Sequence, residues 1–251
     1  MEDGMLSEQR HAMILKILEE RRSITVAELT ELLGISESTA RRDITVLDKA
    51  GRLVKVFGGA VMPDNVYISA EPTVAQKKEI NREEKRRIAR YAASLIQPQD
   101  FVYLDAGTTT GLMLDFIEER KAAFVTNAVA HAQRLAASGI RVILVGGTLK
   151  SSTEAVVGTM AALTLKHYHF TKGFFGTNGI NPHAGFTTPD DREALVKKTA
   201  VEQCQKAYIV SDNSKFNRVS SVTFAGMSAG TILTDACPEE WKGMADIVLC
   251  P

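Results

Sequence analysis

Apolar residues recur at helical spacing from the start of the chain, and the polar residues between them mark where each helix begins and stops. Ser7 is placed to cap a helix in which Ile14, Leu15, Ile17 and Leu18 share a face. Thr25 and Glu28 have capping-box spacing, each side chain satisfying an unpaired backbone N–H at the other's position, and Ala27, Leu29, Leu32 and Leu33 supply the apolar stripe that follows. Gly34 accepts the left-handed backbone that ends a helix, Ile35 packs back, and Ser36 caps a third helix with Ala40, Ile44 and Leu47 on one side. The period then changes: Leu53, Val54, Val56 and Phe57, then Gly58 and Gly59, then Ala60 and Val61, predict two short strands about a glycine turn. Helices followed by a small hairpin predict a winged helix-turn-helix over residues 6–61.

Residues 62–73, with Pro63, Asp64, Asn65, Ser69 and Pro72, have loop composition and are expected to be a linker. From 74 to 251 a helix near Glu79 to Gln97 precedes short apolar runs alternating with helical ones. Strands are expected at Phe101 to Asp105, Ala123 to Thr126, Arg141 to Val145, Gly173 to Gly176, Ala207 to Asp212, Thr231 to Thr234 and Ile247 to Leu249. Alternating β and α units of this kind predict an α/β domain, a mostly parallel sheet flanked by helices.

Thirty Lys plus Arg balance thirty Asp plus Glu, so bulk charge points to neither nucleic acid nor an anionic membrane, and any such partner must be met by a local patch. Apolar runs such as Val142 to Val145 are too short for a membrane span and the N-terminus has no basic-then-apolar leader, so the expected location is cytoplasmic. Cys204, Cys237 and Cys250 have no CxxC or metal spacing and are expected to be reduced, mostly buried thiols; His11, His131, His167, His169 and His183 form no metal pattern either. Neither a metal nor a cofactor is expected.

The local patch is on the third helix. Ser38, Thr39, Arg41, Arg42 and Thr45 lie off its apolar side, and with Ser36 at the cap they present hydroxyls and two guanidiniums. Arginine reads guanine through a planar two-donor fork, while hydroxyls and helix-start N–H groups hold phosphates, so this face predicts insertion into the major groove of double-stranded DNA. Lys55, on the wing, is expected to touch backbone phosphate. The surplus from Glu37 to Phe57 is only two positive charges. The alternative is a solvated helix face on which Asp43 pairs with Arg41 or Arg42.

A second constellation follows the strand at Phe101. Asp105, Ala106, Gly107, Thr108, Thr109, Thr110 and Gly111 form a glycine-hydroxyl loop leading into Leu112, Leu114 and Ile117, an arrangement whose unpaired N–H groups suit an anion. Other polar groups fall at predicted carboxyl ends of strands, where open α/β sheets bind ligands: Thr126 and Asn127, Gly146 and Gly147 with Lys150, Gly176 to Gly179 including Asn178, and Asp212 with Lys215. Glu193 and Asp105 can accept from hydroxyls, and Lys150 or Lys215 can neutralise a phosphate. The Lys77 to Arg90 charge run is expected to be a solvated face.

Arg10 and Ile14, the Val26 to Leu33 helix, and above all Ser36-Glu37-Ser38-Thr39-Ala40-Arg41-Arg42-Asp43-Ile44 with Leu47, Gly51, Arg52 and Gly58-Gly59-Ala60 resemble the DeoR family of bacterial transcription regulators. The resemblance implies a repressor of sugar or carbohydrate metabolism genes that binds operator DNA as a homo-oligomer, a dimer or tetramer, with a phosphorylated sugar as effector. The later segments resemble the family's sensor domain, similar in fold to ribose-5-phosphate isomerase and the coenzyme A transferases. That likeness places Asp105 to Thr109 at the phosphate loop and Glu193 near the isomerase's catalytic glutamate. An isomerase would carry aspartates within Gly176 to Ile180 and a lysine before its glycine-rich stretch, where this chain has Thr177, Asn178, Phe186 and Thr187. Binding without catalysis is therefore expected. The alternatives are a sugar-phosphate isomerase or transferase with an appended DNA-binding module, and a DNA-binding protein with a ligand-free oligomerisation domain.

Overall fold

Caps and apolar stripes build the first of two units into which the chain divides, Met1–Val66 and Tyr67–Pro251. The structure, a computed structural model, describes residues 7–21, 23–56, 58–61, 66–67 and 74–251; Phe57 and most of the expected linker, 62–65 and 68–73, lie outside the described residues. The first unit runs α1 (Ser7–Arg21), β1 (Ser23–Thr25), α2 (Val26–Leu33), α3 (Glu37–Lys49), β2 (Val54–Val56) and β3 (Gly59–Val61), and β4 (Val66–Tyr67) spans the division.

The capping box forms, Glu28 N–H donating to Thr25 Oγ1 at 3.2 Å and Thr25 N–H to Glu28 Oε2 at 2.8 Å. Gly34 ends α2 at φ 62°, and Ser36 Oγ accepts from Thr39 N–H at 3.2 Å. The buried stripe of α2 is Val26, Leu29 and Leu33, whereas Ala27 and Leu32 are exposed. A helix turns roughly 100° per residue, so a stripe centred on Leu29 and Leu33 carries Leu32 outward. Strand β1 is too short to show a period; it pairs antiparallel with β3, Ile24 opposite Ala60, and β3 pairs with β2. Ile14, Leu18, Leu29, Ile44 and Leu53 join helices and sheet in one core.

In the second unit the helix expected near Glu79 to Gln97 is α5 (Arg82–Ser94), and a separate α4 (Val74–Glu79) precedes it, the break falling where Asn81 turns left-handed at φ 51°. The seven expected strands all form: β5 (Phe101–Leu104), β6 (Ala123–Thr126), β7 (Val142–Leu144), β10 (Phe170–Phe175), β13 (Cys204–Val210), β16 (Thr231–Thr234) and β17 (Ile247–Leu249). They make one sheet in the order β17-β16-β13-β10-β5-β6-β7, and the pairs are parallel. The shorter strands are β8 (Thr148–Lys150), β9 (Ala155–Val157), β11 (Gly179–Asn181), β12 (Gly185–Thr188), β14 (Arg218–Val219) and β15 (Val222–Ala225); the remaining α-helices are α6 (Thr108–Met113), α7 (Val129–Ala137), α8 (Thr159–Leu165) and α9 (Asp191–Glu202).

Strand alternation sorts the core into two layers. Val102, Leu104, Phe124 and Phe174 pack with Ile88, Ala89 and Ala92 of α5 and Met113 of α6, while Tyr103, Phe170, Phe175 and Ile209 pack with Ala161 and Leu165 of α8 and Ala194 and Ala200 of α9. Fully burying one such large apolar side chain contributes about 1.5–3 kcal/mol, so both faces of the sheet must be covered. No described helix is long and apolar enough to cross a membrane. Cys250 is buried, while Cys204 and Cys237 are half-buried, and all three are free thiols.

Strand order also fixes where a ligand can enter. From β5 the chain winds outward through β6 and β7, then returns to lay β10 against the other side of β5 and winds outward again through β13, β16 and β17. The two directions diverge at β5 and β10, which opens a crevice at their carboxyl ends, the usual binding position in open α/β sheets.

Candidate functional site

On α3 the apolar side is buried through Ala40, Ile44 and Leu47, and the opposite side carries Ser38, Arg41 and Arg42, all exposed. Asp43 turns inward, taking Arg10 Nε at 2.5 Å, Arg10 Nη2 at 3.1 Å and His11 Nε2 at 3.1 Å. Burial pushes its carboxyl up, but the bonds from Arg10 and His11 outweigh this and hold it below the usual carboxylate range. Asp43 is therefore not the partner of either exposed arginine of α3. Arg41 makes only an exposed contact to Glu37 at 3.2 Å, the kind of pair that costs little to give up, and Arg42 has no ion pair among the described residues. Ser36 Oγ lies 2.9 Å from both Ser38 Oγ and Thr39 Oγ1, and Lys55 Nζ donates to Thr45 Oγ1 at 3.0 Å, tying the wing to the helix.

At the crevice, Asp105 follows β5 and Gly176 follows β10, and Asp105 Oδ2 accepts from Gly176 N–H at 3.0 Å. Lys197 of α9 reaches the same oxygen and also donates to Gly176 O at 3.0 Å. Burial raises the Asp105 carboxyl, and Lys197 and the Gly176 N–H hold it back. A cavity of about 80 Å³ opens above this pair, its wall including Lys85, Thr108, Thr109, Asn178, Glu193 and Lys215. Lys85 Nζ donates to Lys77 O at 2.6 Å, and the ammonium of Lys215 donates no hydrogen bond among the described residues. Burial lowers both lysines, opposed by Asp212. Asp212 is held below the ordinary range despite its own burial, by Lys215 and by bonds from Ser214 and Asn81, the last at 2.8 Å. Glu193 accepts from Thr153 Oγ1 at 2.5 Å and Lys150 Nζ at 3.2 Å. Ammonium groups beside carboxylates and an amide suit a phosphate joined to a polyol.

Residues 10–66 match the DeoR-like helix-turn-helix domain and residues 80–236 the DeoR C terminal sensor domain. The chain is 41% identical to the HTH-type transcriptional regulator FruR of Bacillus subtilis, over 94% of this chain and 93% of that one. It is 32% identical to the lactose phosphotransferase system repressor of Streptococcus mutans over 95% of each, and 30% identical to the transcriptional repressor GlcR of Bacillus subtilis over 94% and 91%. The chain belongs to the DeoR family of transcription regulators. A DeoR-type regulator binds DNA through its helix-turn-helix, and the relatives give no support to the isomerase or transferase alternative. Ribose 5-phosphate isomerase from Methanocaldococcus jannaschii matches 54% of this chain and 55% of its own at TM-score 0.41 and 13% identity, a likeness too distant to carry chemistry over.

Within this DeoR sensor, Asp105, Gly107, Thr108, Thr109, Gly176, Asn178, Glu193 and Lys215 border or floor the one cavity. Gly107 supplies no side-chain cap to α6, and the first backbone bond of that helix is Gly111 N–H to Gly107 O at 2.9 Å. Helix α6 ends at Met113, so Leu114 and Ile117 lie beyond it. The remaining expected residues are not brought there. Thr110 Oγ1 donates inward to Asp105 O at 2.7 Å and Thr126 Oγ1 to Leu104 O at 2.6 Å, and both side chains are fully buried. Asn127 is spent on structure: its Oδ1 accepts from Tyr103 OH and Ala106 N–H, each at 3.0 Å, and its Nδ2 donates to Val156 O at 3.1 Å. Gly146 and Gly147 are exposed beyond β7, Gly179 packs its Cα against the Arg218 backbone, and Lys150 sits behind Glu193, also bound to Asp190 at 3.1 Å.

Lys85, Lys197 and Thr153 are among the cavity residues that the sequence pattern passed over. Lys85 sits in the charge run expected to be solvated, yet it is only 5% exposed. The signal was phase: Lys85 shares a helix face with Ile88, Ala89 and Ala92, and Glu193 and Lys197 share one with Ala200 and Val201. A charge in register with an apolar stripe is a charge facing inward. Among the described residues no cluster of His, Cys, Asp and Glu could hold a metal ion.

Proposed function

We propose that this DeoR-family regulator is a repressor of sugar-metabolism genes that binds double-stranded operator DNA as a homo-oligomer and is modulated by a phosphorylated sugar in the crevice cavity. In this reading residues 6–61 are the DNA-binding domain, 62–73 the linker and 74–251 the effector domain. Ser36, Ser38, Thr39, Arg41, Arg42, Thr45 and Lys55 meet DNA, the arginines reading base edges and the others positioning on phosphate. Lys85, Lys215 and the Thr108 and Thr109 amides hold the phosphoryl group, while Asp105, Glu193 and Asn178 take hydroxyls. The observation that carries this is the cavity itself, where lysines and carboxylates converge at the point of divergence between β5 and β10. The relatives, a lactose phosphotransferase system repressor among them, support repression of sugar genes.

The test uses the full chain, DNA from upstream of its own gene, and a panel of sugar phosphates. Arg41→Ala with Arg42→Ala is expected to abolish specific binding of that DNA while the thermal shift with an active sugar phosphate persists. Lys215→Met is expected to do the reverse. Loss of both functions in either folded variant would contradict the division of labour, and absence of a thermal shift with the whole panel would favour a ligand-free second domain.

A further inference from the structure

The crevice cavity has a neighbour. Val74, Ala106, Gly107, Thr108 and Thr153 line both it and a second, larger cavity of about 230 Å³. The wall of that second cavity also includes Lys78, Arg82, Gly111, His131 and Arg134. Arg134 is committed, its Nη1 to Gly111 O at 3.0 Å and its Nη2 to Asp115 at 2.5 Å. Lys78 and Arg82 make no ion pair or hydrogen bond among the described residues. Glu79 and Glu154, which also border the cavity, are exposed. His131 is 7% exposed, and its Nδ1 is buried with no partner. Burial, with the field of Arg134 and Lys78, brings this imidazole down to about 4, so it is neutral at pH 7 and adds no charge of its own.

Hydroxyl groups alone would not explain a wall of this kind. The crevice cavity pairs its lysines with Asp105, Glu193 and Asp212, which suits a polyol as well as an anion. The neighbouring cavity instead offers a guanidinium and an ammonium without partners, beside a loop whose helix-start N–H groups lack a side-chain cap. Such donors are matched by an oxyanion. We propose that the effector is a sugar carrying two phosphoryl groups, one held by Lys85 and Lys215 and the other by Lys78 and Arg82, with the carbon chain crossing at Thr108. This rests on the assignment of the crevice cavity to a phosphorylated sugar and adds the second group.

The test compares matched pairs on the full chain by calorimetry: inorganic phosphate, the 1- and 6-monophosphates, and the 1,6-bisphosphates of fructose, glucose and tagatose. At least one bisphosphate is expected to bind tenfold or more tightly than either of its monophosphates. Lys78→Ala with Arg82→Ala, both exposed positions, is expected to bring that bisphosphate to the level of its monophosphates and to leave monophosphate binding within twofold. Lys215→Met weakens all three. A second phosphoryl group near His131 also raises the pH midpoint of its ring resonances, and a monophosphate does not. Monophosphates binding as tightly as every bisphosphate, or the double variant weakening both alike, overturns the second phosphoryl site and leaves the crevice assignment standing. No binding by any member of the panel to the folded protein overturns both.

Discussion

The α3 face and the cavity of the sensor domain solve the problem of presenting charge in opposite ways. The α3 face takes Ser38, Arg41 and Arg42 from one helix and leaves them exposed, with the inward acid Asp43 paired to Arg10 of α1 and in contact with His11. The cavity takes Lys85 from α5, Asp105 after β5, Gly176 after β10, Glu193 and Lys197 from α9 and Lys215 after β13. An outside partner as large and highly charged as DNA comes to exposed side chains, which cost little to keep in water. A small ligand must be enclosed, enclosure desolvates every charge around it, and each desolvated charge then needs a partner from another part of the chain.

The largest expected effect breaks the cavity side of that contrast. Lys197→Met leaves the Asp105 carboxylate buried with the Gly176 N–H alone, and should cost about 3–5 kcal/mol, read as a drop in the urea midpoint of the second unit. A cost below about 1 kcal/mol would mean that Asp105 protonates easily and that the pair is dispensable. Next comes His131, whose imidazole is held at about 4 against 6.5 in an unfolded chain. Between those values the unfolded state binds the extra proton, so stability falls as pH drops from 6.5 towards 4, by about 3 kcal/mol at most. His131→Gln should flatten that part of a pH series of denaturation curves, while acid loss at lower pH from Asp43, Asp100, Asp190 and Asp212 remains. Thr25→Ala removes one half of the capping box and should lower stability of the first unit by about 1 kcal/mol. Smallest is Arg41→Ala, which loses only the exposed Glu37 pair: a thermal melt should move by less than about 0.5 kcal/mol equivalent, while specific DNA binding is expected to weaken. A large melt shift there would show that the α3 face is structural.

What was legible followed the range of the interactions. Thr25 with Glu28, Gly34 and Ser36 act within four residues of chain, so spacing predicts them, and the seven sheet strands are apolar runs bounded by polar residues. Thr110, Thr126 and Asn127 have the same composition as ligand-binding residues, but a hydroxyl or amide serves equally to satisfy a buried backbone group, and here it does. Lys85 was hidden because neighbouring charges made its helix look solvated, and Lys197 was not singled out, although their phase with Ile88 and Ala200 was readable.

By itself the sequence determined the caps, the helix-turn-helix order, the strand positions and the exposed arginines, since each depends on residues near in the chain. Only the tertiary structure decided which polar groups share a cavity and which are consumed as internal partners. Parallel strand order brings Asp105, Gly176 and Lys197 to one place, and no local pattern encodes a meeting between residues 92 positions apart.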